Sequence, residues 1–286
     1  MSKVKYLTKD EFRKMQLLQL DMLKELDRVC RKHNIKYSIY CGTLLGAVRH
    51  KGYIPWDDDA DVVMLREEYE KFKKVAKELD AKICYFQDNT TDPYYRWGYA
   101  KLRRTNTEYV RVGQEHLKCK TGFFIDIFPL DDIPKSVIGQ IFNDFYCFCL
   151  RKILYSEVGK YSESETPFMR KWYSLLSRIS TDKVYKRINK MTSKSRNDSK
   201  NKVRCYMFTA TGKLYKKHKI SERYGMPKQW FLDLEEYEFE GEKFYGTKDY
   251  DKILTYIYGD YMTPPPKDKR DPHSPVCRYS FDTKVK

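Results

Sequence analysis

The stretch Ser38-Ile-Tyr-Cys-Gly-Thr-Leu-Leu-Gly-Ala-Val-Arg-His-Lys-Gly-Tyr-Ile-Pro-Trp-Asp-Asp-Asp-Ala-Asp-Val-Val-Met64 decides the fold. A short apolar run stops at Gly42-Thr43, and four carboxylates in the five positions 57–61 then lead directly into Val62, Val63 and Met64. Ionised carboxylates entering an apolar strand must be paired, metal-bound or neutralised. On a strand, side chains alternate faces, so Asp57, Asp59 and Asp61 point one way and Asp58 the other. Asp59-x-Asp61 then offers two hard oxygen ligands side by side, an arrangement that holds Mg²⁺ (or Mn²⁺) against phosphates. The competing reading is a solvated acidic turn.

A strand–Gly–helix turn at Gly42-Thr43 leaves backbone N–H groups free for a phosphate. Arg49 is a candidate phosphate clamp, since a guanidinium grips two oxygens at once. His50 reads as structural. Upstream, Thr8-Lys-Asp-Glu11 is a capping box, and the apolar spacing from Phe12 to Val29 predicts an amphipathic helix. Further on, the pattern predicts a helix over 66–79 and strands over 82–87 and 99–104, the last with Lys101 and Arg103 on one face. Either they meet phosphate or they decorate an exposed edge.

Gly122-Phe-Phe-Ile-Asp-Ile-Phe-Pro-Leu-Asp-Asp132 is the second informative stretch. Asp126 interrupts an apolar strand and needs a compensating partner; a metal shared with Asp59 and Asp61 supplies one, a buried hydrogen bond another. Asp131, beyond Pro129, is expected to cap a turn. Residues 137–155 predict an aromatic-rich amphipathic helix, too interrupted by Asp144 and Arg151 to span a membrane; it can lie against one or pack a partner helix, and packing inside the protein is the expectation.

The bulk composition fits a globular chain of 286 residues, 41% hydrophobic and 34% charged. Eight cysteines without CxxC spacing read as reduced thiols, and the start lacks a signal-peptide h-region, so a cytoplasmic setting is expected. The formal net charge is +16, and residues 182–228 hold 15 Lys or Arg against three acids, a net of +12. Such a region suits nucleic acid, an anionic membrane surface or a polyanionic acceptor, with a solvated helical face as the plain alternative. An extended proline-rich turn over 258–273 is expected to fold back over the core.

The run from Gly42 to Val62 resembles the signature of the LicD/fukutin family, and the resemblance continues through Phe124–Asp131 and Tyr258-Gly-Asp-Tyr-Met262. It implies an α/β (α+β) nucleotidyltransferase-type fold, a small mixed sheet flanked by helices, with a catalytic core over 1–135 and a mainly helical basic region over 136–286. It implies transfer of phosphocholine from CDP-choline to a sugar hydroxyl of a glycan or lipid-linked glycan, releasing CMP. Matched residue by residue, Gly42 and Thr43 fall on the phosphate turn, Asp59 and Asp61 on the metal pair and Asp126 on the third acid, with Asp57 auxiliary. Tyr94, Tyr95 and Trp97 are candidates for an aromatic choline cage. Another CDP-linked cargo, glycerol or ribitol phosphate, keeps the same site. A nucleic-acid binder using the basic half is the rival of another class, which the three acids argue against.

Overall fold

The structure, a computed structural model, describes residues 4–192, 202–207, 218–270 and 275–283. Helix α1 (Lys9–Lys32) begins at the expected capping box, with the Thr8 side chain accepting from the Glu11 N–H and Glu11 reaching back to the Thr8 N–H. After β1 (Ser38–Tyr40) the chain turns at once into α2 (Cys41–His50). Then come β2 (Asp61–Leu65), α3 (Arg66–Val75), β3 (Cys84–Gln87), β4 (Ala100–Arg104), β5 (Glu108–Arg111) and the fully buried β6 (Phe124–Asp132). The second half supplies α4 (Val137–Gly159), α5 (Pro167–Leu176), α6 (Thr181–Thr192), β7 (Lys202–Arg204), β8 (Met226–Pro227), β9 (Leu234–Phe239), β10 (Glu242–Thr247), α7 (Tyr250–Tyr258) and β11 (Val276–Ser280).

The sheet runs β3-β4-β6-β2-β1-β10-β9, with β2 parallel to β6, β1 parallel to β10 and the other neighbours antiparallel. This is the mixed α/β (α+β) architecture expected. Strands β9 and β10 come from beyond residue 136, so the second half completes the same sheet. The chain end also returns: β11 pairs with β5 and bridges Lys5, while Arg49 Nη1 donates to the Tyr261 carbonyl and Arg270 lies over the Trp56 ring. Of the basic stretch 182–228, residues 193–201 and 208–217 lie outside the described residues, as do 271–274 of the proline-rich turn.

Strand alternation gives the sheet two faces. Ile39, Val62, Met64, Leu102, Ile125 and Ile127 pack in one core with Met22, Leu26 and Val29 of α1. Tyr40, Val63, Phe128 and Leu130 belong to a second core with Val203, Met226 and Ile253. Asp61, Lys101 and Asp126 share the parity of this second set, so they lie on the face away from α1.

Two expectations need correction. Asp131 caps no turn: β6 continues through Pro129, and buried Asp131 takes a two-pronged ion pair from Arg66, at 2.7 Å to each oxygen. Pro129 is tolerated because the strand pairs on past it, Met64 standing opposite. Helix α4 does not hide its apolar residues as expected, because among the described residues one of its two apolar sides is buried and the other is exposed.

Candidate active site

Register assembles the site. Asp61 on β2 stands opposite Asp126 on β6, and Asp126 stands opposite Lys101 on β4, so three charged side chains form a row across neighbouring strands. Asp59 joins from the preceding segment, and carboxylate oxygens of Asp59, Asp61 and Asp126 lie within 4.8 Å of one another. Asp57, Asp58 and Asp59 form a second group of the same size at the mouth. The expected alternation fails for this segment: β2 starts only at Asp61, and 57–60 is irregular. Its shape comes from elsewhere. The buried amides of Gln16 and Gln19 on α1 donate to the Asp57 carbonyl at 3.1 Å and the Asp58 carbonyl at 2.9 Å, and the Asp126 N–H donates to Ala60.

Gly42 and Thr43 open α2 beside the acids. The Thr43 hydroxyl accepts from the Asp61 N–H at 2.8 Å, which fixes the start of β2. The Asp57 carboxylate lies against Gly42 so closely that a Cβ there would sit 2.1 Å from Oδ2. An anion at this helix start therefore meets Asp57 first. Cys41, at the junction, holds a left-handed φ of 45°, a strained conformation for a non-glycine residue. Arg49 lies eight residues along α2, about 12 Å of helix rise from Cys41, and donates to Tyr261, away from the acid cluster.

The electrostatics are unbalanced. Burial, then Asp59 and Asp58, pushes the Asp57 carboxyl up to about 8. Burial, then Asp58 and Asp126, pushes Asp59 up to about 7. Asp61 rises well above the usual range through burial, Asp59 and Asp126. Carboxylates this close cannot all ionise without a cation among them. Lys101 supplies one: its ammonium is buried, donates to Asp126, and is pulled down to about 8 by burial against the opposing pull of Asp126.

Two more cations complete the wall. Lys101, Arg103 and Arg111 all lie over the Phe124 ring, at 3.4, 4.9 and 5.1 Å from its centroid. Arg103 donates to Gln87 and to the Gly122 carbonyl, and so ties the strands together. Arg111 reaches Asp58 at 3.4 Å, while its Nε is buried without a hydrogen-bond partner among the described residues. Sequence reading missed Arg111, whose place depends on β5 pairing with the distant β11. It also missed Gln16 and Gln19, although amides on the apolar stripe of α1 were a legible signal.

Beyond Lys101 lies a cavity of about 290 Å³. Trp97, Tyr99, Tyr155 and Met207 wall it, with Gln114, Arg96 and Arg151 as polar groups. Tyr99 links it to the acids, its ring centroid 5.4 Å from Lys101 Nζ. Of the expected cage residues only Trp97 lines it; Tyr95 is wholly buried behind Trp97, and Tyr94 is exposed.

Comparison with known proteins gives the geometry a context. Residues 34–152 match the family described as LicD/FKTN/FKRP, nucleotidyltransferase domain. That span contains β1, β2 and β6, and with them every acid of the site. The chain is 29% identical over 285 residues to the lipopolysaccharide cholinephosphotransferase LicD of Haemophilus influenzae, covering 91% of this chain and 95% of that protein. It is also 29% identical over 144 residues to an uncharacterized protein of Rickettsia prowazekii, covering 50% of this chain and 49% of that one.

Proposed function

Because residues 34–152 match the LicD/FKTN/FKRP nucleotidyltransferase domain, we propose that the chain transfers phosphocholine from CDP-choline to a sugar hydroxyl of a cell-surface glycan or lipid-linked glycan precursor, releasing CMP. The observation that carries this reading is the register-matched row Asp61–Asp126–Lys101, closed by Asp59, in a chain that runs nearly the full length of a lipopolysaccharide cholinephosphotransferase.

The site suits a hard divalent ion. Its donors are all carboxylate oxygens, and burial together with the neighbouring acids raises Asp59 and Asp61, a cost that a cation among them would relieve. Asp59, Asp61 and Asp126 would hold Mg²⁺ or Mn²⁺, with Asp57 at the edge. Such an ion, when bound, neutralises charge on the transferring phosphate and its leaving oxygen. The chain's own groups do the rest. Arg111, with its unsatisfied Nε, offers a donor to a phosphate oxygen of the nucleotide. Lys101 orients Asp126 and balances its charge. Asp126 takes the proton of the attacking sugar hydroxyl as the new P–O bond forms in line with the bond to CMP, which leaves with its electron pair.

The aromatic cavity takes the acceptor sugar. Trp97 and Tyr155 supply flat faces for a pyranose ring, and Gln114 supplies hydrogen bonds to hydroxyls. Arg96 and Arg151 already donate to the Leu154 and Tyr206 carbonyls and keep the walls positive, which opposes a quaternary ammonium.

The decisive experiment mixes the protein with Mg²⁺ and a glycan acceptor, and reads CMP from CDP-choline, CDP-glycerol and CDP-ribitol separately. CMP from CDP-choline alone is the expected result. CMP from a polyol donor instead changes the cargo. No CMP from any donor, together with salt-sensitive polynucleotide binding that survives Asp59→Asn and Asp61→Asn, replaces the enzyme by a nucleic-acid binder.

A further inference from the structure

Helix α4 is apolar on two opposite sides. Cys147, Leu150, Leu154 and Val158 are buried, the first three in one core with Val184 and Ile188 of α6. On the other side Ile138, Ile141, Phe142 and Phe145, spaced by three and four residues, are exposed to 68, 42, 69 and 64%. Helix α5 repeats the design. Tyr173 is wholly buried against α4, its ring 5.5 Å from that of Tyr155. Phe168, Trp172 and Leu175, at i, i+4 and i+7, stand exposed to 75, 49 and 54%. Scattered exposed apolar residues are ordinary, but two neighbouring helices each presenting an aromatic stripe are not.

The surroundings of the stripes select what covers them. Residues 167–192 hold seven Lys or Arg against one acid, Asp182, and Lys171, Arg178, Lys183 and Lys186 are exposed. A second copy would press two such basic regions together in a chain of formal charge +16. An anionic bilayer accepts the rings at its interface and neutralises exposed cations of α5 and α6. Among the described residues no helix is long and apolar enough to cross a membrane, so the contact lies in the interface plane.

We propose that the exposed face of α4 and α5 is a peripheral docking surface for an anionic lipid bilayer. It stands independently of which group the active site transfers. The test is sedimentation of the full chain with vesicles of phosphatidylcholine alone and of phosphatidylcholine mixed with phosphatidylglycerol. The wild type pellets with the anionic vesicles, releases in high salt and shows a blue shift of emission that Trp172→Phe diminishes. The double variant Phe142→Ser/Phe145→Ser loses at least about tenfold in vesicle affinity, with an unchanged circular dichroism spectrum. Equal partitioning of wild type and double variant overturns the proposal. So does a wild-type dimer in sedimentation velocity that the double variant dissociates without vesicle binding by either, which assigns the face to a second copy.

Discussion

Asp61 and Asp126 stand directly opposite each other on parallel strands β2 and β6, both on the sheet face away from α1. Side chains so placed repel, and burial strengthens the repulsion. A pair that weakens the fold yet is set by strand register is what the proposed cation site requires. Asp61→Asn is therefore expected to raise the Tm of metal-free protein, because it removes a charge whose ionisation burial opposes. The same variant, and Asp126→Asn, should lower CMP release about a thousandfold, the loss of several kcal/mol of transition-state stabilisation. Paired melting and turnover measurements read both effects, and a destabilised Asp61→Asn would contradict the argument.

The raised carboxylates also fix a pH dependence. Asp57 and Asp59 hold protons in the fold up to about 8 and about 7, whereas in the unfolded chain they release them near 3.8. Between those limits the folded state binds more protons, so stability of metal-free protein falls as pH rises from about 4 to about 8. Lys101, shifted from 10.5 to about 8, acts above this window. Melting in chelator across this range should show the decline, and Mg²⁺ should raise the Tm strongly at pH 8 and little at pH 5.

Gly42 leaves the space that the Asp57 carboxylate occupies. An added Cβ would collide with that carboxylate at 2.1 Å, while the helix itself would accept alanine. Gly42→Ala should thus leave the Tm nearly unchanged and lower turnover by about ten- to a hundredfold through displacement of Asp57, with the apparent Mg²⁺ requirement rising. Thermal melting beside a Mg²⁺ titration of CMP release checks it.

The meeting of Asp61 with Asp126 was legible because Asp126 interrupts an apolar strand and needs a partner, while Asp61 leads the acidic run into another. The geometry of Asp57 to Ala60 was not. Alternation presumes a paired strand, and this segment is instead held by side-chain amides of α1. Arg111 was hidden for a related reason: β5 meets β11 across some 165 residues, and no local pattern encodes that contact. Helix α4 shows a third limit. Its periodicity revealed apolar stripes but could not say which one faced the core, since both satisfy the same spacing.

Arg66 and Asp131 provide a control away from the chemistry. Asp131 is 2% exposed and receives both guanidinium prongs. Arg66→Met removes the main partner of a buried carboxylate and should cost about 3–5 kcal/mol in chemical denaturation. Turnover per folded molecule should stay near wild type, which separates a folding defect from a catalytic one.

Trp97 tests the assignment of the cavity to the acceptor. Its ring forms one wall of the 290 Å³ space, and Tyr99 connects that space to Lys101. If a sugar ring stacks there, Trp97→Ala removes contact area for the acceptor and leaves the phosphate contact proposed for Arg111 untouched. The KM for acceptor should then rise about tenfold, a loss of about 1.4 kcal/mol, while the KM for CDP-choline stays constant. Trp97→Phe, which keeps a flat face, should recover most of the loss. If instead the KM for CDP-choline rises and that for acceptor does not, the cavity holds the choline end of the donor despite Arg96 and Arg151.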